Sequence, residues 1–203
     1  MRQPVRFAIF ALAALLLPGA ALAAKKQAPP TEPGTYTDWG DEVDWLEVVE
    51  SFRLADYGKV VVEPFDTSET RLPDKDDNSY IAVQTTLSAV ALPLVEGLQT
   101  VLGGKPAVEA GESAGAGALV VRGKVTAMDP GSRAARYWAG FGAGAARTEL
   151  HGEVVDAGSG KVLLRFRQER RSGVGLAGGD YVKLMQRNLR AIGEDLGMVL
   201  KAF

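Results

Sequence analysis

Cysteine is absent from all 203 residues. That excludes a disulfide framework, a thiolate nucleophile, a cysteine-ligated metal and the lipid-attachment cysteine of a bacterial lipoprotein. Histidine occurs once, as His151, so a histidine-rich metal site is excluded too. A lone strand histidine beside Glu149 and Glu153 reads as an exposed polar residue. Positive charge is also scarce. The chain carries 23 Lys and Arg against 25 Asp and Glu, and a mildly acidic protein lacks the positive field that nucleic-acid phosphates demand. Only residues 7–17 form a sustained apolar run, and those eleven residues fall well short of the roughly 20 a membrane-spanning helix requires.

What is present at the amino terminus points to export. Arg2 and Arg6 precede the apolar run, Pro18-Gly19 interrupts it, and Ala21 and Ala23 stand two apart. A basic region, a short apolar core and small residues at the cleavage site are the parts of a signal peptide. Cleavage before Ala24 removes two arginines and leaves 21 basic against 25 acidic side chains, a net charge of −4. The expected organisation is a signal peptide over 1–23, a Pro-rich flexible linker over 24–38 and a single α/β domain over 39–203. The expected location is the periplasm, peripheral to the outer membrane and without a lipid anchor.

Within the domain, residues 39–57 mix acids with Val43, Leu46, Val49 and Phe52, which reads as one short amphipathic segment. Lys59-Val60-Val61-Val62-Glu63-Pro64-Phe65 is a β-branched run bounded by Gly58 and Pro64, as in a buried strand. Leu87, Val90, Leu94, Leu98 and Leu102 recur at helical spacing, with Pro93 marking a kink or a split into two helices and Gly103-Gly104 the end. Ala107-Val108 reads as a short strand and residues 118–128 as a longer one. Residues 148–154 and 162–167 alternate at period two around Ala157-Gly158-Ser159-Gly160, a hairpin. In it Leu150, Val154, Val162, Leu164 and Phe166 share the buried face, while His151, Glu153, Arg165 and Arg167 face water. From the cap Asp180 onward, Val182, Met185, Leu189, Ile192, Leu196, Val199 and Phe203 make one narrow apolar stripe. The order predicts a two-layer α/β (α+β) sandwich, a mostly antiparallel sheet of about four strands with helices on one face.

Several patterns invite chemistry and lack the context for it. Asp74-Lys75-Asp76-Asp77-Asn78 spaces oxygen ligands like half a calcium loop, but Ser79 and Thr85 replace the required glycine and glutamate. Gly140-Phe141-Gly142-Ala143-Gly144-Ala145 matches a loose dinucleotide pattern without a preceding buried strand. Residues 173–179 precede the last helix, yet Asp180 occupies its cap and repels an anion there. Acid pairs such as Glu149/Glu153 or Asp41/Asp44 show no sign of facing each other across a cleft. Arg165, Arg167, Arg170 and Arg171 make a basic patch at the hairpin end, read as a solvated strand face, with an anionic lipid headgroup as the alternative occupant. No enzymatic activity, cofactor or metal is expected.

The stretch 131–146 is unusual. Gly131, Ala135, Ala139 and Ala143 repeat every four residues, as do Gly140 and Gly144, a spacing that allows close helix packing. Tyr137, Trp138 and Phe141 are flanked by Arg133, Arg136 and Arg147, the residue types of interface anchors and of membrane-surface segments. Two readings remain. The stretch is a crossover with its aromatics in the core, or it is an exposed contact surface formed by Arg133, Arg136, Tyr137, Trp138, Gly140, Phe141, Gly142, Gly144 and Arg147.

Gly131-Ser132-Arg133-Ala134-Ala135-Arg136-Tyr137-Trp138-Ala139-Gly140-Phe141-Gly142-Ala143-Gly144, followed by Val155-Asp156-Ala157-Gly158-Ser159-Gly160-Lys161-Val162-Leu163, resembles the bacterial domain-of-unknown-function family 4410. That family consists of exported proteins, many of them lipoproteins. The resemblance runs from about Phe52 through Val62-Glu63-Pro64-Phe65 to the final helix, and it carries no activity and no catalytic residues. The missing cysteine departs from the lipoprotein members. A second resemblance, at the level of element order, is to the α/β domain of the curli-secretion lipoprotein and the amino-terminal domain of the Tol system's β protein. It implies an assembly or adaptor module of the envelope. The expected role is therefore a non-enzymatic interaction module whose partners are envelope proteins, a second copy or the membrane surface. The alternatives are a lipid or small-molecule carrier, with a pocket between sheet and helices, and an acid-pair hydrolase.

Overall fold

The β-branched run Val60-Val61-Val62 is wholly buried, and it forms a strand near one edge of a seven-stranded sheet in a computed structural model. The structure describes residues 29–40, 43–112, 115–131, 145–172 and 180–203; the signal peptide expected over 1–23 lies outside them. The strands are β1 (Gly34–Trp39), β2 (Val43–Val48), β3 (Lys59–Val62), β4 (Ala107–Ala110), β5 (Ala118–Asp129), β6 (Ala146–Asp156) and β7 (Val162–Ser172). Their spatial order is β1-β2-β7-β6-β5-β3-β4. Neighbours from β1 to β5 pair antiparallel, while β3 pairs parallel with both β4 and β5. Three helices, α1 (Tyr80–Leu87), α2 (Ala91–Leu102) and α3 (Tyr181–Ala202), complete the described fold.

The two-layer α/β architecture agrees with the sequence; the strand count does not. Seven strands replace the expected four, chiefly because β1 and β2 lie in the segments read as the linker and as one short amphipathic segment. Gly34–Trp39 pairs with β2, and the chain just before it is pinned as well: Trp39 Nε1 donates to Pro30 O at 2.8 Å and Tyr36 Oη to Glu32 O at 2.9 Å. The helix break also moves. It falls between Leu87 and Ala91, bending the pair by 60°, whereas Pro93 sits in the first turn of α2, where a missing N–H leaves no bond unmade. No single described helix is long and apolar enough to cross a membrane.

The core lies between the sheet and the helices. Leu46, Leu119, Val121, Leu150, Val154 and Leu164 meet Leu94, Leu98, Met185, Leu189, Ile192 and Val199. In the hairpin Leu150, Val154, Leu164 and Phe166 are buried as read from the alternation, and Val162 is only half-buried. Gly160, at φ +72°, closes the turn.

The inner surface of α3 differs from a single apolar stripe. Asn188 and Asp195 are each 2 % exposed, and both reach the sheet. Asn188 Nδ2 donates to Ala146 O at 3.4 Å, and Asp195 accepts from Gln168 Nε2 and Arg170 Nε, each at 2.7 Å. A second flank of α3 packs on α2 through Gly193 and Gly197. The basic patch read at the hairpin end is therefore divided. Arg170 turns toward α3, whereas Arg165, Arg167 and Arg171 lie on the opposite face, which carries none of the described helices.

Candidate functional site

Arg147 is the one member of the expected contact surface among the described residues. Arg133, Arg136, Tyr137, Trp138, Gly140, Phe141, Gly142 and Gly144 lie outside them. Arg147 opens β6, opposite Asp129 of β5 and Arg171 of β7. Its guanidinium bonds Glu169 and Glu149, each at 2.6 Å. Its pKa stands above the usual arginine value, chiefly through the Glu169 hydrogen bond. Glu169 is held below the ordinary glutamate value: its burial pushes the other way, and hydrogen bonds from Arg147 and Arg171 prevail.

These strand ends border a groove of about 830 Å³. One wall is the polar loop before α1, with Arg71, Leu72, Pro73, Asp77, Asn78 and Ser79; the other is Thr126 to Gly131 at the end of β5. Ala145, Arg147, Arg171 and Tyr181 close the remaining side. The groove thus gathers three arginines, a tyrosine and the apolar surfaces of Leu72, Met128 and Pro130. It also collects the described flanks of both glycine-rich stretches: Gly131 and Ala145 flank 132–144, and Arg171 and Tyr181 stand just outside 173–179. Sequence reasoning found Arg147 and missed Arg71 and Tyr181, because five separate chain segments meet here only in three dimensions.

The other expected features are now placed. The half-calcium loop is tied up internally, with Asp77 Oδ1 accepting from Ser79 N at 2.7 Å and Ser79 Oγ at 2.6 Å. Those bonds hold the Asp77 carboxyl below the usual aspartate value. Glu149 and Glu153 share one strand face, Glu149 engaged by Arg147 and His151 and Glu153 by Arg122. Asp44 Oδ2 accepts from Glu169 N at 2.7 Å, while Asp41 lies outside the described residues. The Glu149/Glu153 pair is therefore not brought across a cleft. His151 is 37 % exposed at its side chain, with Nε2 2.9 Å from Glu149 Oε1.

The family model described as Domain of unknown function (DUF4410) matches residues 60–176. Among solved structures, the PelC dodecamer from Paraburkholderia phytofirmans is similar at 14 % identity and TM-score 0.44, covering 74 % of this chain and 96 % of that one. A leucine-to-methionine variant of the same dodecamer gives 14 % identity and TM-score 0.45, with 74 % and 95 % covered. A protein from Xanthomonas campestris described by the family model DUF330 gives 12 % identity and TM-score 0.40, with 71 % and 84 % covered. No curated protein matches the chain.

Proposed function

Because this chain belongs to the DUF4410 family, matched over residues 60–176, we propose its role from its own geometry: it is an exported, non-enzymatic interaction module of the cell envelope. Its contacts with envelope proteins, or with a second copy of itself, are made through the groove at the Arg147 end of the sheet and the connection 132–144 that leaves from it. The observation that carries this reading is the convergence of Arg71, Arg147, Arg171 and Tyr181 on a groove bounded by the flanks of both glycine-rich stretches. Arginine and tyrosine beside apolar surface are the residues from which interfaces draw most of their energy. The basic and apolar residues 2–17 and the small residues at 21 and 23 support export.

Two pairs of charge reversals test it. Arg71→Glu with Arg147→Glu alters the groove, and Arg133→Glu with Arg136→Glu alters the connection. Either pair should abolish co-purification of envelope partners, or the higher oligomer if the partner is a second copy, while the protein stays folded by circular dichroism. Unchanged partners and an unchanged oligomeric state in both would refute the proposal.

The groove's size also favours a second reading. About 830 Å³ falls within the range of small-molecule sites, so a carrier would hold its ligand there rather than between sheet and helices, where buried leucines and valines pack together. A ligand mass retained in native mass spectrometry, and lost in Arg71→Glu, would select this reading.

A further inference from the structure

The face of the sheet that carries none of the described helices is built in lateral rows, set by strand register. One row reads Glu47, Arg165, Glu153, Arg122 across β2, β7, β6 and β5. Its charges alternate, and they pair as Arg165–Glu47 at 2.8 Å and Arg122–Glu153 at 2.7 Å. Four residues along the strands, Glu169 and Glu149 face each other and are matched by Arg147, Arg171 and His151. Between these rows lies Trp45, Arg167, His151, Lys124, which contains no acid.

Within that middle row each cation is placed differently. Lys124 reaches outside the sheet to Glu69 at 2.7 Å. His151 leans on Glu149 of the neighbouring row. Arg167 is exposed and lies over the Trp45 ring, 6.0 Å from its centroid. Among the described residues it is the arginine of this face whose guanidinium meets an aromatic ring instead of a carboxylate. The row is a strip of nitrogen donors about 14 Å long, from three inter-strand steps of about 4.8 Å. None of its four residues lines the groove.

We infer that this strip docks an extended acidic segment of a partner protein, laid across the strands with an apolar side chain toward Trp45. The charge pattern selects that occupant. In both flanking rows the acids are already balanced by arginines, so the net positive charge is confined to this one row, and a flat anionic surface such as a membrane would spread most of its charge over neutralised pairs. A single extended chain is narrow enough to keep its carboxylates over the cationic row. Alternate side chains of such a chain lie about 7 Å apart, so two carboxylates bracket His151 and reach Lys124 and Arg167.

The probe is a fluorescein-labelled peptide, Glu-Val-Glu-Val-Glu-Phe, titrated by fluorescence anisotropy into the mature protein at low ionic strength. A glutamine analogue and phosphatidylglycerol vesicles serve as comparisons. Arg167→Gln and Lys124→Gln, both folded by circular dichroism, should each weaken peptide binding at least tenfold. Arg71→Gln, in the groove, should leave it unchanged, and the glutamine peptide should not bind. The inference is overturned if the wild-type protein does not bind the acidic peptide, if Arg167→Gln binds it equally well, or if vesicles alone are bound in an Arg167-dependent way.

Discussion

Gly97 of α2 and Gly193 of α3 cross backbone against backbone. A Cβ built on Gly193 would lie 3.1 Å from Gly97 Cα and closer still to Leu94 O, and one on Gly97 would come within 2.7 Å of Glu194 N. Four residues on, a Cβ on Gly197 would meet Val101 Cβ at 2.8 Å. The two helices are therefore closer than any side chain permits, and that proximity seats α3 deeply on the sheet.

Gly193→Ala should consequently act as overpacking between two main chains rather than as a helix-stabilising change. Alanine's better helix propensity is worth less than about 1 kcal/mol, whereas forced separation of packed elements costs about 1–3 kcal/mol. The net expectation is a thermal midpoint lower by on the order of 5 °C, measured by calorimetry. A midpoint that rises would mean the helices are not in backbone contact.

Asp195 makes a second connection between α3 and the sheet. Its carboxylate accepts two hydrogen bonds from the guanidinium of Arg170 and one from Gln168 Nε2. The Asp195 side chain is 3 % exposed and that of Arg170 35 %. Asp195→Ala removes three charge-assisted hydrogen bonds from this covered cluster, so urea unfolding should show a loss of about 2–3 kcal/mol, less than for a fully buried pair because water reaches Arg170. Asp195→Leu combined with Arg170→Met should recover most of it. A single variant as stable as wild type would show that the pair contributes only geometry.

Tyr57 Oη donates to Asp156 Oδ2 at 2.8 Å, and both ends of this bond titrate away from their usual values. Burial, then the Asp156 hydrogen bond, pushes Tyr57 up to about 12. The Asp156 carboxyl sits below the aspartate value, first through the Ser159 backbone N–H and then through Tyr57. A raised phenol stabilises the fold fully below its unfolded pKa of about 10, and that contribution is lost as pH climbs toward 12. A lowered carboxyl stabilises above about pH 4, and its contribution is lost as pH falls through the folded value. Tyr57→Phe should flatten the alkaline limb of a stability-against-pH curve and soften the acid limb. An alkaline limb identical to wild type would contradict the assignment.

How much of this was readable in the sequence follows from where the apolar pattern is complete. β6 and β7 alternate over much of their length because one face meets the helices, so the hairpin and its buried Leu150, Val154 and Leu164 are visible in the sequence. β1 has little apolar content beyond Tyr36 and Trp39, and β2 mixes Val43, Trp45, Leu46 and Val48 with Asp44 and Glu47 without alternation, so their pairing is a tertiary fact. Asn188 and Asp195 broke the expected stripe on α3 because the partners that satisfy them, Ala146, Gln168 and Arg170, come from distant strands. The Gly193-x-x-x-Gly197 spacing was a legible signal for close helix packing; the same spacing was noticed at 131–146 instead. Of the groove, Arg147 alone had a local signature, since Arg71 and Tyr181 owe their place to folding.

The central claim, that the groove meets a protein partner, is tested most directly by a photo-cross-linking residue at Leu72 on its rim, with Val49 as the control. Both are 38 % exposed, and Val49 lies at the opposite end of the sheet, bonded to Leu163 O at 2.8 Å. In intact cells, Leu72 should give a discrete adduct, a partner or a dimer of this chain, that Val49 does not and that Arg71→Glu abolishes. Adducts equal at the two positions, or none at Leu72, would contradict the account.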